Sequence, residues 1–183
     1  MMEKFSGFGI IGIVFLLMTS VASAGFLDYY GKITGTAEVS GPVFYAFPEK
    51  KLLINEEPST YVPYKIIDGN AIVFWTEESL GGIDFNYIPK ADLYIRVKVN
   101  DAAPPKPLEV IFGYSDTSKI MHDICSSTVD ISTEELIDYH TSCDGLTILQ
   151  DVNEFYYKIQ GKGDSTIEYS ISTENTRVEV SAA

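Results

Sequence analysis

Residues 91–100, ADLYIRVKVN, alternate cleanly: Leu93, Ile95, Val97 and Val99 fall on one face, and Tyr94, Arg96 and Lys98 on the other. A period of two is the signature of a strand with one buried and one wet face. STIEYSIS (165–172) repeats it with Ile167, Tyr169 and Ile171. KITGTAEVS (32–40) does so more weakly, through Ile33, Gly35, Ala37 and Val39. Four further runs, PVFYAF, AIVFWTE, PLEVIFGY and NEFYYKIQ, read as strands that alternate poorly or are buried on both sides. Between the runs stand turn-forming groups such as Asp68-Gly69-Asn70, Gly81-Gly82, Pro104-Pro105 and Asp144-Gly145. Short strands at fairly regular spacing with such punctuation predict an all-β chain folded as an antiparallel sandwich. Trp75 lies far upstream of both cysteines, against the Cys…Trp…Cys order of immunoglobulin domains, so the pattern favours a jelly-roll-like sandwich.

One segment departs from this habit. Ser132 followed by Glu135 forms a capping-box pattern, with Leu136, Ile137 and Tyr139 after it. It predicts a single short α-helix over residues 133–140.

Residues 1–24 set the compartment. Glu3 and Lys4 precede an apolar run from Phe8 to Met18 and a small-residue exit at Ala22-Ser23-Ala24, the layout of a secretory signal peptide cleaved after Ala24. The competing readings are an uncleaved membrane anchor and pilin-type processing after Gly7, though no glutamate stands where a pilin helix would carry one. Residues 25–183 then form one secreted domain, and with no second long apolar stretch the mature chain is expected not to span a membrane. The chain holds 26 acidic and 13 basic residues for a net charge of −13, and Glu3 and Lys4 cancel, so maturation leaves that charge unchanged. Such a charge repels nucleic acid and anionic membranes as partners.

Both histidines and both cysteines fall in residues 122–143, as two His-x-x-Cys pairs: His122 with Cys125, and His140 with Cys143. Two chemistries compete for them. A tetrahedral zinc site needs all four side chains to converge, but residues three apart on a strand point to opposite faces, which works against His122 and Cys125. A disulfide between Cys125 and Cys143 needs only export to an oxidising compartment and would staple the expected helix to the strand before it. The same region is acidic, with eight Asp or Glu and no Lys or Arg between Lys119 and Lys158. Calcium is the one cofactor such loops leave open, with Asp144 and Asp151 the first candidate ligands; a solvated acidic face competes with it. Otherwise no cofactor is expected.

No Gly-x-Ser-x-Gly elbow, phosphate-binding glycine loop or distinguished carboxylate pair is present, so the chain is expected not to be an enzyme. No asparagine begins an Asn-x-Ser/Thr acceptor.

The stretch GFLDYYGKITGTAEVSGPVFYA (25–46) resembles small secreted archaeal surface proteins, which are themselves similar to the camelysin/TasA-type subunits of biofilm filaments. The resemblance implies a jelly-roll fold, and self-association in which the N-terminal strand of one subunit completes a sheet of the next. Ile33, Gly35, Ala37 and Val39 would form that assembly strand, and an ordinary internal first strand is the competing reading. The expected role is therefore a secreted, non-catalytic structural protein of the cell surface or extracellular matrix, a pilus-like filament subunit. The alternative is an extracellular module that binds polysaccharide or another ligand through Tyr61, Tyr64, Trp75 and Tyr114.

Overall fold

The computed structural model describes residues 40–67, 69–85, 88–101, 104–146, 149–162 and 167–181. The expected signal peptide and the assembly positions Ile33, Gly35, Ala37 and Val39 lie outside them. Eleven strands run in chain order: β1 (Ser40–Phe47), β2 (Lys51–Ile54), β3 (Pro63–Ile67), β4 (Ala71–Thr76), β5 (Ile83–Phe85), β6 (Ile88–Val99), β7 (Lys106–Asp116), β8 (Met121–Ile131), β9 (Ile137–Leu146), β10 (Leu149–Gly161) and β11 (Glu168–Ser181). A 3-10 turn at Pro48–Lys50 joins β1 to β2.

The strands hydrogen-bond in the order β8-β7-β10-β4-β2-β1-β11-β6-β9, with β3 added to β11 and β5 to β10. That path folds over on itself into a jelly-roll-like sandwich. One layer is β8-β7-β10-β4, the other β9-β6-β11-β1, and β2 carries the ladder between them. It is antiparallel to β1, but its pairing with β4 is parallel, so the sheet is mixed where the sequence suggests purely antiparallel strands.

The alternating positions decide which face is inside. Leu93, Ile95, Val97 and Val99 of β6 are buried, as are Leu108, Val110 and Phe112 of β7 and Phe155, Tyr157 and Ile159 of β10. Phe44 of β1 meets Phe112 and Phe155 across the interior at ring-centroid distances of 5.3 and 5.2 Å. The buried tyrosines also tie the layers together. Tyr157 donates its hydroxyl to the Tyr94 carbonyl at 3.2 Å, and Tyr169 donates to the Pro107 carbonyl at 2.9 Å. Each hydroxyl thus finds the partner that burial requires.

The expected helix is absent. Residues 132–136 make the connection from β8 to β9, and β9 occupies Ile137–Leu146. Thr133 uses its hydroxyl to accept the Glu135 N–H at 3.0 Å, a local turn bond that a Ser-Thr-Glu-Glu string makes as readily as a helix cap. The ladder between β6 and β9, running from Ile88↔Leu146 to Val97↔Ile137, then captures the segment as strand.

Candidate functional site

The outward face of the β3-β11-β6-β9 layer carries a series of paired polar side chains. At one end, pairing puts Ser170 of β11 beside Lys65 of β3 and, on its other side, Lys98 of β6. Asn100 fixes this end: its side-chain oxygen accepts the Glu168 N–H at 3.0 Å, while its own N–H donates to the Glu168 carbonyl at 3.0 Å. The Val99 N–H donates to the Thr133 carbonyl at 3.1 Å, which draws the β8–β9 connection over the end of β6. The result is an open groove of about 400 Å³ whose lining includes Lys65, Lys98, Asn100, Glu134, Glu168 and Ser170. That volume is in the range of small-ligand sites, about 300–1,000 Å³. Lys65 is paired to Glu168 at 2.7 Å; Lys98, half-buried, has no ion-pair partner among the described residues.

Further along β6 the face becomes a ladder of cross-strand pairs. Arg96 reaches Asp138 at 3.5 Å and Glu174 at 3.4 Å. Tyr94 lies between two planar groups, with the Arg177 guanidinium 4.1 Å from its ring centroid and the His140 ring stacked at 4.6 Å. His140 Nε2 meets Asp92 at 2.9 Å, and Lys90 meets the other Asp92 oxygen at 2.9 Å. With both faces of the Tyr94 ring covered, its neighbours stiffen the layer and leave no open aromatic platform.

His122 has a matching environment in the other layer. Its ring stacks on Tyr114 at 4.8 Å, and its Nε2 meets Asp116 at 2.9 Å. The two His-x-x-Cys pairs are thus two equivalent strand segments, each with its histidine stacked on a cross-strand tyrosine and held by an aspartate.

Cys125 and Cys143 form the disulfide, with Cα atoms 5.7 Å apart. It joins strand to strand, β8 to β9, where the sequence suggests strand to helix. Its formation also corrects the zinc reading, because both sulfurs are consumed. The histidines moreover lie on opposite sides of the bridge. Cys125 faces Cys143 and Ser127 faces Thr141, so His122 and His140 are offset by six positions along antiparallel strands, about 20 Å at the strand rise.

The calcium candidates are not gathered either. Asp144 stands opposite Lys90 in the β6–β9 ladder. Asp151 of β10 accepts bonds from the hydroxyl and N–H of Thr117. Among the described residues no three His, Cys, Asp or Glu side chains converge as metal ligands.

Of the aromatics offered for ligand binding, Tyr61 is 47% exposed, but Tyr114 is only 9% exposed. Tyr64 packs edge-on against Phe74, with centroids 5.7 Å apart. Trp75 is half-buried against Tyr156 at 5.1 Å on the outer face of the opposite layer. There the Tyr156 ring crosses Gly113 to donate to Asp123, and any side chain at Gly113 would collide with that ring and the His122 carbonyl. These four residues form no common surface. The groove residues were missed because positions 65, 98–100, 134 and 168–170 come together only through strand register.

The acidic partners of the histidines give the protein an expected pH response. Burial pushes the Asp92 carboxyl up, but hydrogen bonds and charge from Lys90 and His140 outweigh it and hold Asp92 below the usual carboxylate range. The His122 hydrogen bond, aided by the Ile120 N–H, does the same for Asp116. A carboxylate with a depressed folded-state pKa stabilises the fold above its unfolded value, about 3.9, and loses that contribution as pH falls through the folded value. Urea midpoints should therefore hold steady down to about pH 5 and decline below about pH 4. In Asp92→Asn the decline should be shallower; an unchanged slope would remove Asp92 from the account.

No protein-family model matches the chain, and no curated protein matches it. Solved structures do. A CocE/NonD family hydrolase from Staphylococcus aureus superposes with a TM-score of 0.62 at 9% identity, covering 80% of this chain and 36% of the hydrolase. An aminopeptidase from a marine sediment Thaumarchaeota archaeon gives 0.59 at 8% identity, over 77% of this chain and 36% of its own. The chain thus spans about a third of the length of these enzymes, and at such identity the likeness shows a shared fold and carries no activity with it. A xylan-binding CBM22-1 domain from Paenibacillus barcinonensis Xyn10C aligns over 81% of this chain and 99% of its own, at 10% identity and a TM-score of 0.41, too low to argue from.

Proposed function

We propose that this chain is a secreted, non-catalytic β-sandwich module that binds polysaccharide in the groove formed by β3, β11, β6 and the β8–β9 connection. The supporting observation is the groove's composition: Lys65, Lys98, Asn100, Glu134, Glu168 and Ser170 supply both donors and acceptors around about 400 Å³. A polymer of hydroxyl groups needs both, since each hydroxyl donates and accepts. Strand-borne side chains hold the floor and an anchored connection holds the rim, so binding would order little that is not already ordered. The Cys125–Cys143 bridge agrees with an oxidising, extracytoplasmic compartment. Among the described residues no helix is long and apolar enough to cross a membrane. The filament reading depends on residues 33–39, and the described residues offer nothing in its favour.

Affinity electrophoresis through gels containing soluble polysaccharides tests the proposal. Purified protein should be retarded by at least one polymer. Ser170→Trp, which fills the groove from an outward strand position that suits an aromatic, should migrate freely while melting at the same temperature. Retardation that survives Ser170→Trp, or none across a panel of neutral and acidic polymers, would reject the site.

A further inference from the structure

We infer that the groove selects an acidic saccharide and that Lys98 is the residue that recognises its anionic group. The inference rests on the polysaccharide reading above and adds the ligand's charge. Charges along this face of the layer are largely matched: Lys65 with Glu168, Lys90 with Asp92, Arg96 with Asp138 and Glu174, and Arg177 with Glu179 at 2.7 Å. Lys98 is the exception among the described cations that line the groove. It is half-buried, and it sits one strand away from the Ser170 hydroxyl. Asn100 uses its side-chain oxygen on the Glu168 N–H, which leaves its amide NH₂ free to donate. An ammonium, a hydroxyl and an amide NH₂ at one end of a groove form a donor set that suits an anionic oxygen cluster, and charge-assisted bonds to such a group are the stronger kind. Glu134, on the β8–β9 connection that Val99 holds over the end of β6, is an acceptor for ring hydroxyls. A saccharide with one anionic group and several hydroxyls answers both the donors and the acceptor; a neutral one leaves the ammonium unanswered.

The chain's net charge of −13 repels polyanions at long range, a field screened within about 8 Å at physiological salt. Short oligosaccharides are therefore the right probes. Trigalacturonate, its methyl ester and a sulfated oligosaccharide carry, respectively, a carboxylate, the same shape without charge, and a different anion. Titration calorimetry on the mature protein should show trigalacturonate or the sulfated sugar bound at least about tenfold more tightly than the methyl ester, which corresponds to about 1.4 kcal/mol. Whichever anion wins identifies the acidic group. Lys98→Met should abolish the difference, and Lys98→Arg should keep most of it. Equal binding of ester and acid, with Lys98→Met indifferent, would overturn this inference and leave polysaccharide binding intact. No heat with any of the three, together with no retardation in the gel panel, would overturn both.

Discussion

Truncating Phe155 to alanine is expected to cost about 3–5 kcal/mol of folding stability. The side chain is fully buried. It stacks on Phe112 with centroids 5.5 Å apart and planes 11° from parallel, and meets Phe44 from the facing layer at 5.2 Å. Among the described residues the three rings are the closest aromatic contact between the two layers, so alanine leaves a void with strands fixed on both sides. β10 is central in its layer, paired with β7 on one side and β4 on the other, and the Phe155 N–H is itself held by the Thr76 hydroxyl at 3.0 Å. Its backbone cannot shift to fill the gap without breaking two ladders. For a domain of this size the loss corresponds to roughly 6–20 °C in melting temperature. Urea denaturation followed by far-UV circular dichroism gives the number directly. A loss under about 1 kcal/mol would mean that the cavity collapses freely and that the aromatic cluster is not where the layers are locked.

How much of this was legible in the sequence varies by element. Strands β6 and β11 announce themselves by alternation, and β1, β4, β7 and β10 by aromatic and β-branched runs, because sheets reward those residues wherever they pack. β9 differs from the helix expected there for a specific reason. A Ser132…Glu135 pattern satisfies orphan backbone donors at a helix start, but the same hydroxyl-to-N–H bonding also closes a tight turn. The period-two positions Ile137, Tyr139, Thr141 and Cys143 fit a strand, and pairing with β6 realises it. The disulfide was readable from cysteine parity, and it is this bond that takes up the two thiolates a zinc site would need. The groove was not readable. Lys65, Lys98 and Ser170 are far apart in the chain, and each alone looks like an ordinary outward polar position; only the β3–β11–β6 register makes them neighbours.

The same register explains why a single covalent bond matters so much here, and replacing both Cys125 and Cys143 with alanine should show it. Among the described residues β8 is hydrogen-bonded only to β7, and β9 only to β6, so these strands are the two ends of the main strand path. They are brought side by side by the disulfide and by the Ser127–Thr141 hydroxyl pair at 2.7 Å, where a backbone ladder would otherwise be. The cross-link spans 18 residues, which in the chain-entropy account stabilises the fold by about 3 kcal/mol, or roughly 6–12 °C in melting temperature. If loop entropy were the whole effect, it would act through the unfolded chain and lower protection from hydrogen exchange evenly across the slowest amides. A seam held by side chains predicts something more local. Without the bridge, amides of β8 and β9 should exchange faster than the global loss accounts for, while β10 and β11 track it. The two edges, once apart, present unpaired backbone to other molecules, so the variant should also aggregate with rising concentration where the parent does not. Uniform acceleration across all strands, with no concentration dependence, would reduce the disulfide to a loop constraint and refute its role in closing the sandwich.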